Sequence, residues 1–182
     1  MRIDQLRAGA RGGLIGFSRC PGKRGEPVDP QTQRHLLERD IQVVKAWRAR
    51  ALVSALEDEE LRAFGVSDLG ACATRASVWW FRIPLKEASK PDGRFWRAWP
   101  QAAPSLLEIL RKGERVVIHS CGRFGRAGLV ACCLLMELGQ QPEEVLQTVR
   151  SVRPGAVDSP AQETFVRTYI PRFPEHTRLR SS

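Results

Sequence analysis

Val116-Val117-Ile118-His119-Ser120-Cys121-Gly122-Arg123-Phe124-Gly125-Arg126-Ala127-Gly128 is the stretch that decides the fold. Val116, Val117 and Ile118 predict a buried strand over 115–119. After Gly128, residues 129–138 are apolar nearly all round and predict a central buried helix, stopped by Gly139 in the position that ends helices. A turn between such a strand and such a helix lies at the carboxyl end of the strand, where open α/β sheets place their ligands. The glycines let the backbone curl so that successive N–H groups point inward. At a helix N-terminus such a nest binds an anion. Arg126 stands at the mouth of that helix, where the dipole disfavours a cation that serves no purpose. There it can clamp two phosphate oxygens bidentately. The predicted cradle is Cys121, Gly122, Arg123, Phe124, Gly125 and Arg126, and its ligand is a phosphate or sulfate-like anion. Arg123 either adds field for a second anionic group or faces water.

Working outward, residues 12–17 read as a strand, followed by the loop Cys20-Pro21-Gly22-Lys23-Arg24. Asp29-Pro30 starts a helix with proline at its first position, running to about Trp47. Residues 51–56 read as a buried strand. The acidic stretch 57–60 opens a short helix closed near Gly65, and 78–83 read as another strand. A polar loop over 84–93 precedes a helix over 96–112, and two more helices start at Pro142 and at Ser159-Pro160. Strands alternating with helices predict an α/β fold with a mostly parallel central sheet flanked by helices. Residues 1–182 suit a single domain, with 171–182 a loose basic tail.

The formal net charge is +9, from 29 Lys+Arg against 20 Asp+Glu. Such a surface attracts polyanions, and the arginine excess suits bidentate phosphate contacts, although a GC-rich genome would produce it too. Five cysteines with no C-x-x-C pair suggest neither a disulfide framework nor a zinc site. Cys132 and Cys133 read as core packing. Without a signal segment the expected location is cytoplasmic, and no apolar run is long enough for a membrane span.

The loop resembles the His-Cys-x5-Arg signature of the protein tyrosine and dual-specificity phosphatases. His119, the five residues from Cys121 to Gly125, and Arg126 fall in register; only Ser120 departs, standing where the family has its nucleophilic cysteine. Cys121 is one residue too close to Arg126 to replace it. The rest of the chain is similar to the kinase-associated phosphatase type and its bacterial relatives, through Gly13-Leu14-Ile15-Gly16, Cys20-Pro21-Gly22, Glu60-Leu61 and Gly65-Val66. The resemblance implies a protein tyrosine phosphatase-like fold and hydrolysis of a phosphomonoester on protein through a cysteinyl-phosphate, without metal or organic cofactor. It places Glu87, in Ile83-Pro84-Leu85-Lys86-Glu87, where the family has its general-acid aspartate, with Asp92 as the alternative. It also makes Gln162 resemble the residue that orients the hydrolytic water, although Ser159-x-x-Gln162 reads equally as a capping box. Ala127 stands where many members have Ser or Thr.

A serine hydroxyl at position 120 has no thiolate to offer and needs a dedicated base. Two accounts of it stay open: a cysteine replaced to make an inert, substrate-trapping form, or a natural pseudophosphatase that holds phosphorylated partners. The expected partner is a phosphorylated protein or peptide. A nucleic-acid-directed phosphatase is the less favoured alternative, and no membrane is expected.

Overall fold

The computed structural model describes residues 1–26, 28–122 and 125–173. Arg123, Phe124 and most of the predicted tail lie outside them. Five strands form one sheet in the order β1-β2-β5-β3-β4: β1 (Asp4–Ala8), β2 (Gly13–Arg19), β3 (Ala49–Ser54), β4 (Trp79–Arg82) and β5 (Arg115–Ser120). β1 runs antiparallel to β2 and every other pair is parallel. The α/β class with a mostly parallel sheet is therefore as the sequence predicts. The short edge strand β1 and helix α3 (Leu69–Arg75) are additions to that reading.

The layers follow from side-chain alternation along the central strands. Val116 and Ile118 of β5, with Ala51 and Val53 of β3, pack under α4 (Gly93–Arg111), α5 (Gly125–Glu137), α6 (Pro142–Val152) and α7 (Pro160–Arg167). Val117 and Leu52 point the other way, under α1 (Pro30–Ala46), α2 (Asp58–Ala63) and α3. Helix α1 begins where the sequence predicts, with the Asp29 side chain accepting from Gln31 N and Thr32 N, both at 3.0 Å, and Pro30 at the first position. Every residue of α5 is buried. The helix therefore threads the core with its N-terminus at the carboxyl ends of β2, β3 and β5, and this geometry makes the site.

Candidate active site

Ser120 ends β5 and is 2 % exposed; Cys121 follows it and is partly exposed. Gly122 has φ +151°, which side-chain-bearing residues rarely adopt, so the turn out of the strand rests on a glycine there. Gly125 opens α5 under a second constraint: a Cβ on it would stand 2.4 Å from Asp158 Oδ1 and 3.1 Å from Gln162 Oε1. Glycine alone admits this close approach of the α7 entry to the loop. Together Ser120, Cys121, Gly125, Arg126, Asp158 and Gln162, with Glu87 and Ala88 on the rim, line a small recess of about 10 Å³.

Arg126 is buried and held on three sides. Its Nη1 donates to Glu60 Oε2 at 2.6 Å and its Nη2 to Glu60 Oε1 at 2.8 Å, a bidentate pair. Nη1 also donates to the Leu85 carbonyl at 3.1 Å, and Nη2 lies 2.8 Å from Cys121 Sγ. Burial works against the charge on each partner. For Glu60 it is outweighed by the Arg126 hydrogen bonds, the Glu57 N–H and the nearby cations, and the carboxyl sits below its ordinary range. For Arg126 the same pair, with Cys121, outweighs burial and keeps the guanidinium charged.

Glu60 was invisible as a site residue in the sequence because it also belongs to a local motif. Its Oε2 takes the Glu57 N–H at 3.0 Å, as the third residue of a capping box does. The acidic stretch reads as a helix start, and only packing of α2 against the loop reveals the second task. Asp158 was missed for a similar reason: it is a single acid in a polar turn, brought to the recess by α7.

His119 cannot serve as a base for Ser120. It is fully buried, and its Nε2 lies 2.6 Å from Ser54 Oγ, which accepts the Trp80 indole N–H at 2.8 Å. The hydroxyl of Ser54 is thus left to donate to Nε2. Burial, with the Arg126 charge, depresses the imidazole to about 3, so it is neutral. Cys20, next to the loop, is pushed up to about 12 by burial and is inert.

The two candidate acids differ in place. Glu87 is exposed, in a turn with Ala88 at φ +52°, and lines the recess. Asp92 is the N-cap of α4, accepting Arg94 N–H at 2.8 Å, and its side chain pairs with Arg94, whose hydrogen bonds hold the carboxyl below its ordinary range. Asp92 is not among the recess residues. Gln162 is fully buried. The serine half of the predicted capping box forms, Ser159 Oγ accepting Gln162 N–H at 3.2 Å, but both polar atoms of the Gln162 side chain are without a partner among the described residues. Its amide faces the recess instead. The cradle is described at Cys121, Gly122, Gly125 and Arg126; Arg123 and Phe124 fall outside the described residues. Among the described residues no group of three or more His, Cys, Asp and Glu side chains could hold a metal, and no helix is long and apolar enough to cross a membrane.

No protein-family model matches the sequence. Among curated proteins, cyclin-dependent kinase inhibitor 3 of Homo sapiens is 26% identical over 143 residues, 69% of this chain and 68% of that protein. A putative tyrosine phosphatase, 067L of invertebrate iridescent virus 3, is 32% identical over 108 residues, 52% of this chain and 45% of its own. Among solved structures, kinase-associated phosphatase with its catalytic-site cysteine substituted by serine superposes with TM-score 0.76 at 22% identity, covering 91% of each chain. The active form of Tk-PTP superposes with TM-score 0.63 at 26% identity over 90% of this chain and 97% of that one. The sheet order, the strand–loop–helix bearing Arg126 and these likenesses agree: the chain has the protein tyrosine phosphatase-like fold and is similar in sequence to protein tyrosine and dual-specificity phosphatases.

Proposed function

We propose that the recess binds the phosphate of a phosphorylated protein, and that serine at position 120 leaves the bound monoester uncleaved. One observation carries this reading. A buried guanidinium, fixed bidentately by Glu60, lines the same recess as Ser120 and a buried amide that no group among the described residues satisfies. Buried polar groups are nearly always partnered, and an unpartnered one on a cavity wall is partnered by what enters the cavity.

With a thiolate at position 120, the sulfur would attack phosphorus as the bond to the leaving oxygen breaks. The Arg126 Nε–H, with the charge of a guanidinium whose Nη groups are engaged by Glu60, Leu85 and Cys121, and the loop amides would hold the equatorial oxygens. Glu87 would pass its proton to the departing oxygen, and a water oriented by Gln162 would then displace the sulfur. Ser120 has a hydroxyl proton and no base to take it, since His119 is neutral, weakly basic and turned toward Ser54. Binding without turnover follows whether the serine is natural or introduced.

The test is hydrolysis of an aryl phosphate by this chain and by Ser120→Cys, alongside titration of both with a phosphopeptide. We expect both forms to bind and only the cysteine form to turn over. In that background Glu87→Gln should cost about 10²-fold or more in rate, while Asp92→Asn leaves it unchanged. If neither form binds, the reading fails. If both bind and neither turns over, the parent activity is lost and a phospho-binding module remains.

A further inference from the structure

The turn between α6 and α7 holds a strained residue. Val157 has φ +55° and is 1 % exposed. A β-branched residue rarely enters that left-handed region, and it stays there only where its surroundings impose it. Such strain clusters at functional sites. This turn ends at the recess, whose wall takes Asp158, next in the chain, and Gln162, further on in α7.

Three sets of contacts impose the turn. The Ala156 and Val157 side chains are buried in the core. Ala156 also lies against α5, where a Cβ on Gly128 would stand 2.7 Å from its Cβ and 3.3 Å from the Val157 N. Gly125, three residues earlier on the same face of α5, admits Asp158 and Gln162 in the same way. Arg150 of α6 supplies the third set. Its Nη2 donates to the Val157 carbonyl at 3.0 Å and its Nε to the Ala156 carbonyl at 3.4 Å. Among the described residues neither carbonyl accepts a backbone N–H. Glu163 of α7 steadies the guanidinium, its Oε2 accepting from Nη2 at 2.7 Å. Packing presses the turn onto α5 but sets no carbonyl direction. A guanidinium fork donating to two successive carbonyls sets both.

We propose that Arg150 is a positioning residue: by locking the left-handed turn at Val157 it aims the Gln162 amide into the recess. This rests on Gln162 orienting the water that displaces the sulfur, as proposed above. Without the fork the turn relaxes toward the backbone conformations that valine prefers, and Gln162 moves off the line of attack.

The experiment has two readouts. The first needs no turnover: in the Ser120 chain the isotope-labelled side-chain amide of Gln162, assigned by its loss in Gln162→Met, is followed by NMR as inorganic phosphate is added. Saturation should shift that signal, and in Arg150→Ala the shift should vanish while phosphate still binds. The second is rapid-mixing hydrolysis of an aryl phosphate in the Ser120→Cys background. There Arg150→Ala should leave formation of the phosphoenzyme unchanged and slow its breakdown about tenfold or more, seen as a burst before a depressed steady rate. Arg150→Lys keeps a charge for Glu163 but cannot fork across two carbonyls, so it should behave likewise even if the alanine variant fails to fold. Adding Val157→Gly to either should recover most of the loss, because glycine takes a positive φ without strain. Arg167→Ala, which removes another partner of Glu163 but no donor to the turn, should change neither step. An unmoved Gln162 response with unchanged breakdown in the Arg150 variants overturns the inference. Equal slowing of both steps overturns it too, since Arg150 then supports the whole site. If Gln162→Met slows breakdown and the Arg150 variants do not, the role of Gln162 stands without its clamp. If Gln162→Met leaves breakdown unchanged, that role falls and the inference with it. Where the cysteine form does not turn over, the amide response alone decides.

Discussion

The two ends of helix α5 make the same electrostatic error and resolve it differently. Arg126 puts a cation near the N-terminus and Glu137 an anion at the C-terminus, each against the helix dipole. At the C-terminal end the debt is settled wholly within the protein. Glu137 accepts from Tyr169 OH, from the Arg172 N–H and from the Phe173 N–H at 2.7 Å, and the Tyr169 oxygen accepts the Trp99 indole N–H at 2.9 Å. At the N-terminal end Glu60 neutralises the charge, yet among the described residues neither polar atom of Gln162, beside the recess, has a partner. The difference separates a buried network that closes on itself from one that leaves hydrogen-bonding capacity beside a recess. Each end buries a charge of the sign the dipole disfavours, and leftover hydrogen-bonding capacity among the described residues tells them apart.

Glu60→Ala should produce the largest effect. It leaves the buried Arg126 guanidinium without its partner, so unfolding in urea should show a loss of about 3 kcal/mol, and phosphopeptide affinity should fall with it. Unchanged stability would mean that the clamp is not what holds Arg126, and the comparison would break at that end. Glu137→Ala should cost about 2 kcal/mol by orphaning two backbone N–H groups and the tyrosine hydroxyl, with phosphopeptide affinity untouched. A loss of affinity there would join the two ends into one network.

His119 supplies a pH test of the wall behind the loop. Its folded value of about 3 lies below the ordinary value of 6.5, so the unfolded chain binds more protons between them. The stability from keeping the ring neutral is therefore complete above pH 6.5 and declines as pH falls. Between pH 7 and 5 the decline should be about 2 kcal/mol, and His119→Asn should flatten it. An unaltered slope in that variant would assign the acid sensitivity elsewhere. The smallest effect should come from Gln162→Met. Removing polar atoms that have no protein partner should shift stability by less than about 1 kcal/mol. In the Ser120→Cys background the same change should still slow breakdown of the phosphoenzyme, seen as a burst followed by a depressed steady rate. A large stability loss would mean that Gln162 is structural after all.

Much of the fold was legible because its signals are local. β5 announces itself by three β-branched residues, α1 by Asp29-Pro30, and α5 by an apolar run ending at Gly139. β1 was not legible. Its five residues, Asp4 to Ala8, form an edge strand with only Leu6 and Ala8 buried, too short an alternation to stand out from loop. α3 was missed because Leu69-Gly70-Ala71-Cys72 carries no start signal, and its Asp68 N-cap makes no side-chain cap bond. At the site, the positions of Arg126 and Ser120 follow from spacing alone, whereas the places of Glu87 on the recess and Asp92 at the cap of α4 emerge only from the fold.

The sequence by itself determined the strand–loop–helix, the arginine at its mouth and the serine at its head, because these are neighbours in the chain whose geometry follows from backbone dihedrals, glycine freedom and the helix dipole. Only the tertiary structure decided that Glu60 clamps Arg126 from 66 residues away, and that Gln162 turns into the recess rather than back to its cap. Those pairings depend on the strand order β1-β2-β5-β3-β4 and on how the helices pack across it. Such contacts link residues distant in the chain, and no local preference of the residues involved encodes them.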